Sequence, residues 1–294
     1  MALQSQLIDP ALFTTIRLLS GAVFLGLLSI YLQRLLANPK PVLQQGSWPS
    51  GFALFVYAAG FSFAYVQLDA GLGALVLFGS VQITMLTLSL LAGERFTKLQ
   101  WLGFVAALIG LTWLLLPEGA IEVSRLTVSN ASESTATSQV YSTLLMVAAG
   151  VAWGIYSLNG KAVTLPTYAT AANFIRACVF TLLLSVCVFV FGSIDMLTES
   201  TQSALSLSLT THGIVLAIIS GVVTSGIGYA VWYAVLPFLK GTSAASLQLL
   251  VPVIATLAGS LLLQELITQK LVLSSLLILG GVALIIYSRT KKSQ

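Results

Sequence analysis

From Gly71 to Ala92 the chain carries no charged residue, and the run stops abruptly at Gly93-Glu94-Arg95. An uninterrupted apolar run of this length lacks the alternation of a barrel strand. About 20 apolar residues in a helix span the hydrocarbon of a bilayer. A helix also satisfies its own backbone where no water can reach it. Comparable runs lie at Ala11–Leu32, Gly51–Leu68, Gln100–Leu116, Val140–Asn159, Thr170–Gly192, Gly213–Leu236, Thr242–Leu263 and Leu271–Ser288. Only 7% of residues are charged, against roughly a quarter in soluble domains. The expected fold is therefore an all-α polytopic membrane protein of about nine helices. In such a chain the net charge of +4 marks cytoplasmic loops, so no nucleic-acid partner is expected.

The run repeats. Gly71–Lys98 slides over Thr242–Gln269 without a gap, so that Ile83 meets Ile254, Glu94 meets Glu265 and Thr97 meets Thr268. The register continues to Leu108 with Leu279 and Gly110 with Gly281. A second pair, Asp9–Phe24 with Tyr168–Leu183, sets Ile16-Arg17 on Ile175-Arg176. The chain reads as two copies, 1–116 and 140–294, joined by a polar linker, 117–139. The first copy has four helices and the second five, since Val140–Asn159 has no counterpart. A first helix is expected to be absent from the chain as given.

Only Lys and Arg vote on topology. With the C-terminus inside, Arg34, Lys40, Arg95, Lys98, Lys161, Lys240, Arg289, Lys291 and Lys292 fall inside, and only Arg125 and Lys270 outside. The N-terminus is then outside and the C-terminus cytoplasmic. The two copies have opposite orientation, with Glu94 at the inner face and Glu265 at the outer. This is an inverted repeat, the architecture in which one unit supplies both gates of an alternating-access carrier.

Paired units with an early Arg, a tight turn at Asp69 and a long apolar run ending in Gly-Glu resemble the EamA type of the drug/metabolite transporter superfamily. The resemblance covers nearly the whole chain. It implies a five-plus-five inverted repeat, of which four-plus-five is present here, and export of amino acids or other small metabolites. Absence of the first helix keeps a second reading open: a transport-incompetent partial homologue that serves a membrane assembly or a partner subunit. The location expected is a bacterial inner membrane, and the partners are a small-molecule substrate and the lipid bilayer.

No catalytic set of side chains is present, so an enzyme is not expected. The single His212 excludes a histidine metal cluster, and neither metal nor cofactor is expected. Tyr57, Phe61 and Tyr65 share one face of the second span at helical spacing. Tyr229, Trp232 and Tyr233 form a matching stripe, Trp153, Tyr156 and Asn159 share a face of the fifth span, and Gln82 and Gln248 are amides in the two central helices. Any one aromatic could be packing or part of an interfacial belt. As a set they are read as a substrate cavity suited to amphipathic or zwitterionic molecules, with no reason to expect phosphates. Arg17 and Arg176 either snorkel or serve a pairing or cavity role, and their equivalence favours one shared structural job. Glu94 and Glu265 are boundary charges or helix caps, with gate-locking as the second reading. Pro252 lies inside a span and should kink it.

Overall fold

The computed structural model describes residues 3, 7–34, 41–68, 70–115, 133–198, 210–254 and 268–290. Among them the chain is helical: α1 (Pro10–Gln33), α2 (Trp48–Ala64), α3 (Ala70–Leu91), α4 (Lys98–Leu115), α5 (Glu133–Asn159), α6 (Pro166–Thr198), α7 (Thr211–Phe238), α8 (Gly241–Gln248, continuing to Ile254) and α9 (Gln269–Thr290). Seven of these are long and apolar enough to cross a membrane; α2 and the described part of α8 are shorter. The expected Asp69 turn and Glu265 lie outside the described residues.

Local chemistry sets the boundaries. Asp9 Oδ1 accepts from the amides of Ala11 (2.8 Å) and Leu12 (3.2 Å), with Pro10 in the first turn. This is the preferred chemistry of a helix N-terminus. Ser47 caps α2 in the same way, and so α2 starts at Trp48 and not at Gly51; it ends at Ala64, short of the expected Leu68. Thr97 and Gln100 close a reciprocal capping box on α4 (2.9 and 3.3 Å). Thr268, its partner in the sequence repeat, accepts from the amide of Leu271 (3.2 Å) at the start of α9. α5 starts at Glu133, so the last part of the expected linker is helical. α6 is longer than expected because Pro166 opens it. The α-helical part of α8 closes at Leu249. Pro252 has no N–H to offer the carbonyl four residues back, which accounts for the interruption there.

The helices fall into two compact units, residues 1–67 with 144–238 and residues 68–143 with 239–294. Each unit draws helices from both sequence copies. In the first, α1 packs along α6 and crosses α7, and α2 lies on α6. Thr15 Oγ1 ties α1 to α6 through Thr181 (3.1 Å) and Ser185 (2.7 Å). In the second, α4 packs along α9 and α3 along α8. The helices aligned by sequence, α1 with α6, α3 with α8 and α4 with α9, therefore pack on one another.

The α4–α9 contact is backbone on backbone. A Cβ on Gly103 would sit 2.5 Å from the Gly281 carbonyl oxygen, and a Cβ on Gly281 would run into the Gly103 carbonyl. Small residues allow this approach, which is how helices associate in lipid. Around it Phe104, Ala107, Leu111, Leu249, Val253, Ile278, Val282 and Ile285 form a buried core. The outward face of α9, with Leu273, Leu276 and Ile286, is exposed and apolar. A helix apolar on both faces belongs in lipid.

Loops assigned to one side of the membrane by charge also meet. The last residue of α5, Asn159, donates to Ser50 Oγ at the start of α2 (3.3 Å). Thr210, ahead of α7, donates from its amide to the Leu7 carbonyl, ahead of α1 (3.1 Å).

Gly280 has open space where its Cβ would be. Gly281→Leu is therefore expected to abolish the monodisperse folded peak in detergent size-exclusion chromatography, whereas Gly280→Leu leaves it intact.

Candidate functional site

The first unit holds most of the residues singled out in the sequence. Its geometry begins where α1 crosses α7. A Cβ on Gly221 would run into Ser20 Oγ and the Arg17 carbonyl, and one on Gly21 would lie 2.9 Å from the Gly221 carbonyl oxygen. The two backbones touch there. At this crossing α7 changes its winding: Ser220–Ile227 is a π-helix, between α-helical Thr211–Ile219 and Gly228–Val235. π-turns are rare and recur at functional sites.

That wider turn places Ser225 and Tyr229 against Arg17. Arg17 Nε donates to Ser225 Oγ and Nη2 to the Tyr229 hydroxyl, both at 2.8 Å. The Tyr229 hydroxyl donates onward to that of Tyr57 (3.2 Å). The guanidinium carbon lies 5.7 Å from the Tyr57 ring centroid and 5.6 Å from that of Phe61, within cation–π range. Arg17 is 6% exposed. The cation is therefore held by neutral hydroxyls and ring faces, with no acidic neighbour among the described residues.

Rings extend this cluster. Trp153 lies 4.8 Å from Tyr57 and 4.6 Å from Tyr229, and Phe61 stacks edge-on against Tyr65 at 4.6 Å, all between ring centroids. These five rings are half-buried. The rest of the expected cavity set is arranged differently. Tyr156 and Tyr233 are fully buried, 4.7 Å apart, and the Tyr233 hydroxyl donates to the Tyr156 carbonyl (2.8 Å). They face each other from α5 and α7 and are packed as core. Trp232 points the other way and donates from Nε1 to Ser157 Oγ (3.1 Å). Asn159 is exposed at the end of α5.

Arg17 and Arg176 do not share surroundings. Arg176 donates from Nη2 to the Leu43 carbonyl and lies over the Trp48 ring at 5.7 Å. It ties the segment before α2 to α6. Arg17 sits among the aromatic rings. The sequence alignment places the two arginines at equivalent positions, but each takes its role from what packs opposite.

In the second unit, Gln82 Nε2 donates to the Ala245 carbonyl (2.7 Å) and Gln248 Nε2 approaches Met85 Sδ (3.4 Å). Both amides are buried between α3 and α8 and act as interhelical contacts. Gly93, at φ +87°, ends α3, with the Glu94 amide bonded back to the Ser89 carbonyl (3.0 Å). This is a glycine C-terminal cap. It turns the Glu94 carboxylate onto α8, where Oε1 accepts from the Gly241 amide (2.8 Å) and Oε2 from the Thr242 amide (3.0 Å). Glu94 thus caps its own helix's repeat mate, and the Gly-Glu ending of the apolar run has a physical cause.

The family model described as "EamA-like transporter family" matches residues 140–287, half of the chain. The chain belongs to the EamA-like transporter family. A Pseudomonas aeruginosa protein, described only as uncharacterised, is 43% identical over 98% of this chain and 88% of its own length. A Salmonella typhimurium protein named "Probable amino-acid metabolite efflux pump" is 25% identical over 79% of this chain and 73% of its own. An uncharacterised transporter of Bacillus subtilis is 23% identical over 94% of this chain and 86% of its own. A solved crystal structure matches the fold at a TM-score of 0.68 and 19% identity, covering 95% of this chain and 88% of that one. As an EamA-like transporter the protein is an integral membrane carrier and not an enzyme.

Ser225, Gly221 and Gly226 were not singled out by sequence reasoning. The signal was present in the run Ser220-Gly221-Val222-Val223-Thr224-Ser225-Gly226, a cluster of small residues one turn before the aromatic stripe.

Glu94→Ala removes both acceptors from the start of α8. It is expected to cost about 1–2 kcal/mol, read as a lower melting temperature of the purified protein in detergent. Glu94→Gln, which keeps one acceptor, should fall between.

Proposed function

We propose that this EamA-like transporter is a secondary carrier that exports small organic metabolites, amino acids among them, by alternating access of its two inverted copies. The observation that carries this reading is the cluster of half-buried rings, Tyr57, Phe61, Trp153 and Tyr229, around a cation inside a membrane-embedded unit. An ionisable group inside a membrane protein marks a functional site by default. The name of the Salmonella relative points to the same class of cargo. The chain's acidic residues lie in loops or at span ends in the sequence. Transport is therefore read as facilitated, or coupled by a route other than a carboxylate relay. We place the protein in a bacterial inner membrane with the C-terminus cytoplasmic, in line with the distribution of Lys and Arg.

The test is counterflow in proteoliposomes, with a panel of radiolabelled amino acids and small amphipathic metabolites and no imposed ion gradient. Accumulation of a label, competed by its unlabelled form, is the expected result. Failure of every label to exchange would count against a carrier of this cargo. Trp153→Ala should slow exchange about two- to tenfold, the equivalent of roughly 0.5–1.5 kcal/mol of lost ring contact, at unchanged membrane abundance. Equal loss of rate and abundance would instead mark Trp153 as packing.

A further inference from the structure

We infer that Arg17 is the anchor for a carboxylate, so that the molecules this protein binds carry a negatively charged carboxyl group and their uncharged amides or amine analogues are rejected. The inference rests on the carrier reading for its physiological meaning, but its geometry stands on the first unit alone.

The argument begins with charge. Arg17 donates its two hydrogen bonds to the hydroxyl oxygens of Ser225 and Tyr229, both neutral. A guanidinium has five N–H donors and no acceptor. Two hydroxyls and two ring faces satisfy part of its hydrogen-bonding capacity and none of its need for a counter-charge. A buried cation without a partner is costly, and arginine is a residue suited to pairing because its fork matches a carboxylate. Asp9 is the one acidic side chain described in this unit, and its Oδ1 is committed to the amides of Ala11 and Leu12. It also lies eight residues earlier on the helix, about 12 Å along the axis at ~1.5 Å per residue. Among the described residues no side chain of this unit supplies the counter-charge, and a bound anion is the group that would complete the site.

Three further features direct that anion to this position. The rings beside Arg17 are half-buried, whereas Tyr156 and Tyr233 behind them are sealed. Half-buried rings next to a fixed cation suit a molecule with an apolar body and an acidic end. The π-stretch in α7 and the Gly21–Gly221 crossing hold Ser225 and Tyr229 in hydrogen-bond reach of the guanidinium, which fixes its orientation before a ligand arrives. Finally, Arg176 is bonded to a backbone carbonyl outside this cluster. The arrangement around Arg17 is thus not a generic consequence of the repeat.

The test uses the purified full chain in detergent and in proteoliposomes. Intrinsic tryptophan fluorescence is titrated with leucine, phenylalanine and 3-phenylpropionate, and with leucinamide, phenylalaninamide and 3-phenylpropionamide. The same compounds then serve as competitors in counterflow. Carboxylates are expected to bind about tenfold or more tightly than their amides, the scale of a charge-assisted hydrogen bond. Arg17→Gln should erase that preference and Arg17→Lys should retain part of it. Should Arg17→Gln fail to fold, Tyr229→Phe and Ser225→Ala release the guanidinium without removing it, and each should weaken carboxylate binding several-fold and narrow the acid-over-amide ratio. Equal affinity for acids and amides overturns the inference, even if both are transported and the carrier reading stands. Arg17-dependent binding of carboxylates without exchange supports the inference and counts against the carrier reading. No binding and no exchange by any compound overturns both.

Discussion

Helix backbones in contact through glycine are the constraint on which the rest of this structure depends. In lipid there is no water for an apolar helix to escape, and association rests on close packing and a few polar contacts. Gly103 with Gly281 brings α4 and α9 together, and Gly21 with Gly221 does the same for α1 and α7. Each crossing then decides what else can happen nearby. The first seats an aliphatic core around it. The second sits beside a change of winding in α7 and sets two hydroxyls against a buried arginine.

The repeat is visible in how the helices pair more than in how the chain divides. The two compact units cut across the sequence copies, and each combines helices from both. Glu94 expresses this most directly. It ends one long apolar helix and caps the start of the matching helix in the other copy. A carboxylate at a helix N-terminus satisfies orphan amides and meets the positive end of the dipole. The same side chain therefore closes one element and opens another. The Thr97 and Thr268 caps repeat a second detail of the alignment in three dimensions.

Polar groups in the membrane interior divide here into two kinds. Gln82 Nε2, Gln248 Nε2, Thr15 Oγ1 and the Tyr233 hydroxyl are spent on interhelical or backbone partners, while Gln82 Oε1 is buried without one. Arg17 is different, because its partners are neutral and its neighbouring rings are half-buried. The first kind holds helices in register, and the second offers chemistry to a ligand.

Membrane character and the all-α class were legible in the sequence, since they follow from run length and the scarcity of charge. So was Gly93-Glu94 as the end of the long apolar run, whereas the Asp9-Pro10 start and the Thr97–Gln100 capping box emerge in the structure. The candidate site was legible only as a list of aromatic residues. Periodicity of 3.6 cannot foresee a π-turn, and the turn in α7 changes which residues face Arg17. Nor can it separate Tyr229, half-buried beside a cation, from Tyr233, sealed in the core one turn later. The sequence determined that the chain is a set of apolar helices and roughly where each lies. Tertiary structure alone decided that Arg17 lies among half-buried rings while Arg176 ties down a loop, because burial and partnership are properties of what packs opposite a residue and not of its place in the chain.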